Sequence, residues 1–268
     1  MRNSLMLPSE CGPPARVNVL GVGISAINMA EAVDRCERLL AGRQKGYICV
    51  TGVHGIMEAQ RDAGFREILN RAFLCTPDGM PTVWIGHLQG HADMSRVYGP
   101  DFMLELCRNL VASGYRHFLY GGGPGTVERL RERLERLMPG IRIAGVYTPP
   151  FRPLSPAEED RLIASIARVG AEIIWVGLST PKQERFMSRM VDRLDTRLMI
   201  GVGAAFAIHA GLRRDAPAWM KTCGLQWLHR LLQEPHRLWR RYLSNNPQFV
   251  WQMALQLAGI RKFRLEER

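Results

Sequence analysis

Between residues 17 and 202 the sequence alternates short apolar runs with amphipathic stretches, and this alternation limits the architectures open to the chain. The runs at 17–22, 47–51, 117–120, 141–146, 173–176 and 198–202 are nearly continuous in apolar residues, as strands buried on both faces are. Helical patterns fall between them at 29–40, 102–112, 126–137, 156–168 and 181–194. Ser155 followed by Pro156 supplies an N-cap and a proline at the first helical position. Strands alternating with helices predict an α/β fold, a largely parallel sheet covered by helices.

The pattern changes near Gly211. Beyond it the sequence reads as helices without strands, punctuated by Pro217, Pro235 and Pro247. The expected organisation is a Pro- and Gly-containing leader over residues 1–15, an α/β core over 16–211, and a basic helical appendage over 212–268. The leader lacks the apolar stretch of a signal peptide. The net charge is +11, and residues 212–268 hold 11 Lys or Arg against 4 Asp or Glu, so +7 of it lies in the appendage. Such a balance points to an anionic partner. Tyr242 to Ile260 is uncharged, yet Asn245, Asn246, Gln248, Gln252 and Gln256 argue against a bilayer span. In a helix after Pro235, Arg237, Arg240 and Arg241 should share a face, with Trp239 and Tyr242 beside them. With Arg230 seven residues before Arg237, this suits an anionic membrane surface. The alternative is a helix packed on the core with a solvated arginine face. The six cysteines, Cys11, Cys36, Cys49, Cys75, Cys107 and Cys223, form no C-x-x-C pair and read as reduced thiols.

Three segments could carry chemistry. Thr76-Pro77-Asp78-Gly79-Met80-Pro81 follows an apolar run and places Asp78 in a tight turn at a strand's C-terminal end, where ligands of parallel sheets bind. There Asp78 could act as a general base, or simply form the turn. Tyr120 to Thr126, with Gly122 and Gly123, links a strand to a helix as a phosphate cradle would, or as any tight turn would. Gly177 to Glu184 puts Lys182 and Gln183 in the first turn of a helix, near the same sheet edge. Gly203 lies in a third glycine-bearing strand exit. No metal site is expected: there is no D-x-D pair. His54, His209 and His229 suit packing or hydrogen bonding. A nucleotide-sugar epimerase or dehydrogenase would need a dinucleotide fingerprint, which is absent. A nucleic-acid binder would need basic residues spread over the core rather than gathered in a Trp- and Arg-rich tail, so no nucleic-acid partner is expected.

In this order the motifs resemble the WecG/TagA/CpsF family of bacterial glycosyltransferases (glycosyltransferase family 26). The resemblance covers about residues 17–249. It rests on Val50-Thr51-Gly52-Val53-His54-Gly55, on 76–81, on Arg96-Val97-Tyr98-Gly99-Pro100-Asp101, on 120–125, 177–184 and 201–211, on Ala216-Pro217-Ala218-Trp219, and on Gly224-Leu225-Gln226-Trp227 with the Arg-rich run after it. It implies a Rossmann-like core with helices on both faces. It also implies metal-independent, cofactor-free, inverting transfer from a nucleotide-diphosphate sugar, a UDP-sugar first among them, to a polyprenyl-diphosphate-linked saccharide. The implied location is peripheral, at the cytoplasmic face of the bacterial inner membrane, and homo-oligomerisation stays open. The family's base falls on Asp78, its diphosphate-facing Arg on Arg96, its Gln on Gln183 and its strand-end Thr on Thr51. Val53 stands where many members have Asn, so His54 becomes a candidate donor contact. Ala207 replaces a frequent Asp, and Gln226-Trp227-Leu228-His229 replaces Glu-Trp-Leu-Tyr. The wording of 50–55 and 178–184 is most similar to members from exopolysaccharide clusters.

Overall fold

A computed structural model describes residues 12–265. The hairpin β1 (Arg16–Val19) and β2 (Val22–Ser25) leads into α1 (Met29–Ala41) and β3 (Gly46–Thr51). Then come α2 (Val53–Arg61), α3 (Ala63–Arg71), β4 (Leu74–Pro77), α4 (Met80–Leu88), α5 (Gly99–Leu110), β5 (Arg116–Gly121), α6 (Thr126–Leu137) and β6 (Arg142–Tyr147). The α/β region finishes with α7 (Pro156–Val169), β7 (Ile173–Gly177), α8 (Lys182–Met190), β8 (Leu198–Gly201) and α9 (Ala205–His209). Beyond Gly211 the described elements are α10 (Ala218–Thr222), α11 (Gln226–Gln233) and α12 (Pro235–Leu257).

Strands β3 to β8 form one sheet in the order β4-β3-β8-β7-β5-β6, with every pair parallel. The α/β reading therefore stands, with helices on both faces. Alternation along each strand shows why. In β7, Ile174 and Val176 join one buried cluster and Ile173 and Trp175 the other, the period-2 consequence of side chains pointing to opposite faces. The first cluster takes Ile56 and Met57 of α2, Phe65 of α3, Met187 of α8 and Phe249 of α12. The second takes Leu40 of α1, Phe102 of α5, Leu130 of α6 and Phe206 of α9.

Two sequence expectations change. The run 17–22 is not one strand of the sheet but a separate antiparallel hairpin, turning at Leu20-Gly21 with Val19 opposite Val22. Both turn residues have positive φ, 54° and 78°, as a two-residue turn matching the strand twist requires. Gln256 of α12 accepts from the Leu20 N–H at 2.8 Å, and Gln60 donates to the Leu20 carbonyl at 2.7 Å. The second change is at Pro247, which does not interrupt the final helix: α12 runs through it. Pro247 offers no N–H, so the Leu243 carbonyl loses its usual helical donor. Leu243 is exposed, which lets solvent compensate. The leader's first eleven residues lie outside the described part, as does Cys11.

Candidate active site

All six parallel strands end on the same side, and the loops leaving them line a cleft of about 1550 Å³. Ligands of open parallel sheets bind at this edge. Helices α10 to α12 form the opposite wall. Helix α12 is anchored by Phe249 and Met253 in the core and by Arg61 of α2 donating to Asn245 Oδ1 at 2.7 Å.

Asp78 lies on the cleft floor just past β4, held from several directions. Its N–H donates to the Thr51 carbonyl at 3.1 Å, its carbonyl accepts from Arg96 Nε at 2.6 Å, and Oδ1 accepts from the Gly99 N–H at the start of α5 at 3.2 Å. Burial raises its carboxyl above the ordinary carboxylate range, against the opposing pull of Arg96, the Gly99 N–H and Arg230. Arg96 acts as a strut. Besides gripping the Asp78 loop, it donates to Gln226 Oε1 of α11 and lies 4.1 Å from the Tyr98 ring centroid. Gln226 thus meets the arginine's far end with a neutral amide.

The other predicted residues divide by orientation. Thr51 is 3 % exposed, and its hydroxyl lies 3.4 Å from the Cys49 carbonyl and 3.3 Å from Cys75 Sγ, below the floor. Asn245 Nδ2 donates to His54 Nδ1 at 3.1 Å. Burial, with Arg241 nearby, lowers His54 to about 3, so the ring is neutral and the 3.8 Å approach of Glu58 is not an ion pair. His54 therefore joins α2 to α12 across one cleft edge. Gly122 and Gly123 line the cleft between β5 and α6. Gly122 has φ 71°, and a Cβ there would meet Thr126 Cβ at 2.9 Å, so only glycine leaves this turn open to a ligand. Lys182 opens α8 on the cleft side, and Gln183 is 3 % exposed. The Gln183 amide donates to Glu184 Oε1 at 3.0 Å, while its own Oε1 lies beside Gly203 with no partner among the described residues.

The appendage arginines do not share one face. Arg230, Arg237 and Arg241 line the cleft, whereas Arg240 stacks 5.2 Å from its neighbour Trp239. Helical geometry separates Arg240 from Arg241 by roughly 100°, and α12 docks with the 237/241 side inward. Arg237 pairs with Glu234 at 2.7 Å. The Nε atoms of Arg230 and Arg241 are buried without a hydrogen-bond partner among the described residues. Burial and the neighbouring Arg230 and Arg237 lower Arg241 to about 10, which still leaves it charged at neutral pH. Buried donors of this kind are normally satisfied, so they are poised for an anion.

Sequence reasoning missed a further cluster at the mouth. Tyr98 donates to Asp215 Oδ1 at 2.8 Å, Lys221 Nζ lies 2.5 Å from Asp215 Oδ2, and Arg213 pairs with Glu234 at 2.9 Å. Burial works to raise Asp215, but the bonds from Lys221, Tyr98 and the Ala216 N–H outweigh it and the net shift is downward. That makes Asp215 a committed anion, tied to Lys221 and Tyr98. The signal for it was its position directly before Ala216-Pro217-Ala218-Trp219. Among the described residues no three His, Cys, Asp or Glu side chains gather as a metal site, and no helix is long and apolar enough to cross a membrane.

Two curated relatives from Bacillus cover most of the chain. The N-acetylglucosaminyldiphosphoundecaprenol N-acetyl-beta-D-mannosaminyltransferase of Bacillus spizizenii (strain ATCC 23059 / NRRL B-14472 / W23) is 30 % identical over 214 residues, 79 % of this chain and 80 % of the relative. The protein of the same name from Bacillus subtilis (strain 168) is 28 % identical over 219 residues, 81 % of this chain and 83 % of the relative. The profile of the Glycosyl transferase WecG/TagA/CpsF family matches residues 17–263, from the hairpin through the cleft to the end of the appendage helices. The cleft and the matched span coincide, and the chain belongs to the WecG/TagA/CpsF family of glycosyl transferases.

Proposed function

We propose that this protein transfers a sugar from a nucleotide-diphosphate donor, a UDP-sugar, to a polyprenyl-diphosphate-linked saccharide, with inversion at the anomeric carbon. The observation that carries the reading is the pairing of Asp78 on the floor with Arg230 and Arg241 in the facing wall. The acceptor hydroxyl oxygen forms a bond to the anomeric carbon as the bond from that carbon to the diphosphate breaks. Its proton passes to Asp78, and the electron pair leaves with the nucleotide diphosphate. Arg230, Arg241 and the backbone N–H groups around Gly122 and Gly123 stabilise that leaving charge, a preorganised electrostatic role. Arg96 keeps Asp78 in place and adds positive charge beside it. Lys182, Gln183 and Gly203 meet the donor, whereas Thr51 and His54 shape the floor and edge. The relatives' names put an N-acetylmannosaminyl donor and an N-acetylglucosaminyl-diphosphate acceptor first for testing. The exopolysaccharide reading rests on the wording of the motifs alone, and peripheral attachment on the basic appendage.

The test is a donor panel of UDP- and GDP-sugars with a short polyprenyl-diphosphate sugar, with and without EDTA. Acceptor-dependent nucleotide diphosphate release from one donor, unchanged by EDTA, is the expected result. Release that needs a divalent cation would overturn the arginine-based account of leaving-group stabilisation. A second outcome concerns pH. Asp78 must be ionised to accept the proton, and burial raises its pKa. The acid limb of kcat/KM should therefore have its midpoint above the ordinary carboxylate value, falling about tenfold per pH unit below it. A flat profile down to the ordinary carboxylate range would remove Asp78 as base.

A further inference from the structure

A second cavity, of about 560 Å³, lies on the appendage beside the cleft, between α11 and α12. Its volume falls within the roughly 300–1,000 Å³ of small-ligand pockets. Asn246 is the one lining residue that is neither apolar nor aromatic. Trp227, Tyr242, Asn246, Val250 and Ala254 line both this groove and the cleft, so the two spaces adjoin along one wall. On the outer side Leu243, Val250 and Trp251 are 63 %, 66 % and 65 % exposed, an unusual concentration for a protein surface.

Charge is arranged along the same two helices. Arg230 follows Trp227 by one turn of α11, and Arg241 precedes Tyr242 on α12. The Trp227 and Tyr242 rings lie 5.7 Å apart, and the Arg241 guanidinium 5.8 Å from the Tyr242 ring. Cations whose Nε atoms have no hydrogen-bond partner among the described residues thus stand at the cleft end of a wall whose other side is apolar. Such a surface complements an amphiphile with an anionic head and a hydrocarbon chain.

The geometry points to this groove as the binding site for the first isoprene units of the acceptor. The acceptor's head enters the arginine-lined cleft, and its chain passes over Trp227 and Tyr242 into the space bounded by Leu243, Val250 and Trp251. The inference rests on the reading of the acceptor given above, and adds that the protein itself, not only the bilayer, recognises the chain.

Calorimetric titration of the full chain with geranyl, farnesyl and geranylgeranyl diphosphate, in detergent-free buffer, tests it, with inorganic diphosphate as the chainless control. Affinity should rise by about fivefold or more with each added isoprene unit, as burial of apolar carbon requires after ordering costs. The variant Val250→Asp/Trp251→Ala, at exposed positions that do not threaten folding, should lose that length dependence while binding inorganic diphosphate as before. Length-independent affinity in the unaltered protein would overturn the proposal, as would length dependence that persists in the variant. It also falls if the variant changes only retention on anionic vesicles or only the oligomeric state, since the groove then belongs to the bilayer or to a second copy. Length-dependent binding without turnover of any donor would keep the groove and discard the transferase reading. Failure to bind any diphosphate would discard both.

Discussion

Asp78→Asn is expected to lower turnover by about 10²- to 10⁴-fold, the range assigned to a positioned general base, while donor binding stays within a small factor of normal. The two measurements are steady-state release of nucleotide diphosphate and calorimetric donor affinity. Misfolding is not expected to confound the result. The asparagine Oδ1 can still accept from the Gly99 N–H, and the backbone bonds to Thr51 and Arg96 are untouched. A carboxyl whose folded pKa is raised binds its proton more tightly in the native state. Its ionisation therefore opposes folding as pH rises through the folded value. Asp78→Asn should accordingly melt no lower than the parent at neutral pH. A variant that kept near-normal turnover would remove the carboxylate from the mechanism.

The second large effect is expected at the cleft-facing arginines. Arg230→Ala or Arg241→Ala should each lower kcat by about 10²- to 10³-fold, the cost of removing one preorganised donor from a developing anion. Arg240→Ala should change it by no more than a small factor. The contrast matters because a purely electrostatic attraction to lipid would make the three arginines interchangeable. The assay should use a short-chain, water-soluble acceptor, so that membrane retention plays no part. Equal effects of all three variants would place the arginines' role outside the cleft. Since each Nε is buried without a partner, removing either cation also removes a desolvation cost, and a large drop in melting temperature is not expected.

Much of this was legible in the sequence, for identifiable reasons. Helix α7 announced itself through Ser155 as N-cap and Pro156 at the first helical position, and the structure adds Glu158, which completes a reciprocal cap with Ser155. Strands β7 and β8 did so because both their faces are buried. Helices α2 and α3 were not anticipated: they are nine residues each, interrupted by Gly55 and Gly64. Helix α4 is apolar almost throughout and so carries no helical period. The hairpin was hidden because its turn residues, Leu20 and Gly21, continue the apolar run. In the site, strand-end residues such as Asp78 and Gly122 could be placed because the topology puts every strand end at one edge. The side on which Thr51 presents its hydroxyl, and the division between Arg240 and Arg241, depend on how α12 docks, which no local pattern encodes.

That docking has a consequence for cooperativity. Gln256 Nε2 and Asn18 O meet across 238 positions of sequence, and Asn18 Nδ2 and Phe263 O across 245. The entropy of closing a loop grows only logarithmically with its length, so contacts this distant cost little more than nearer ones. Strand β1, the last turn of α12 and the segment just beyond it share these bonds. Loosening the hairpin therefore removes bonds that hold the end of α12, the helix that carries Arg237 and Arg241 into the cleft.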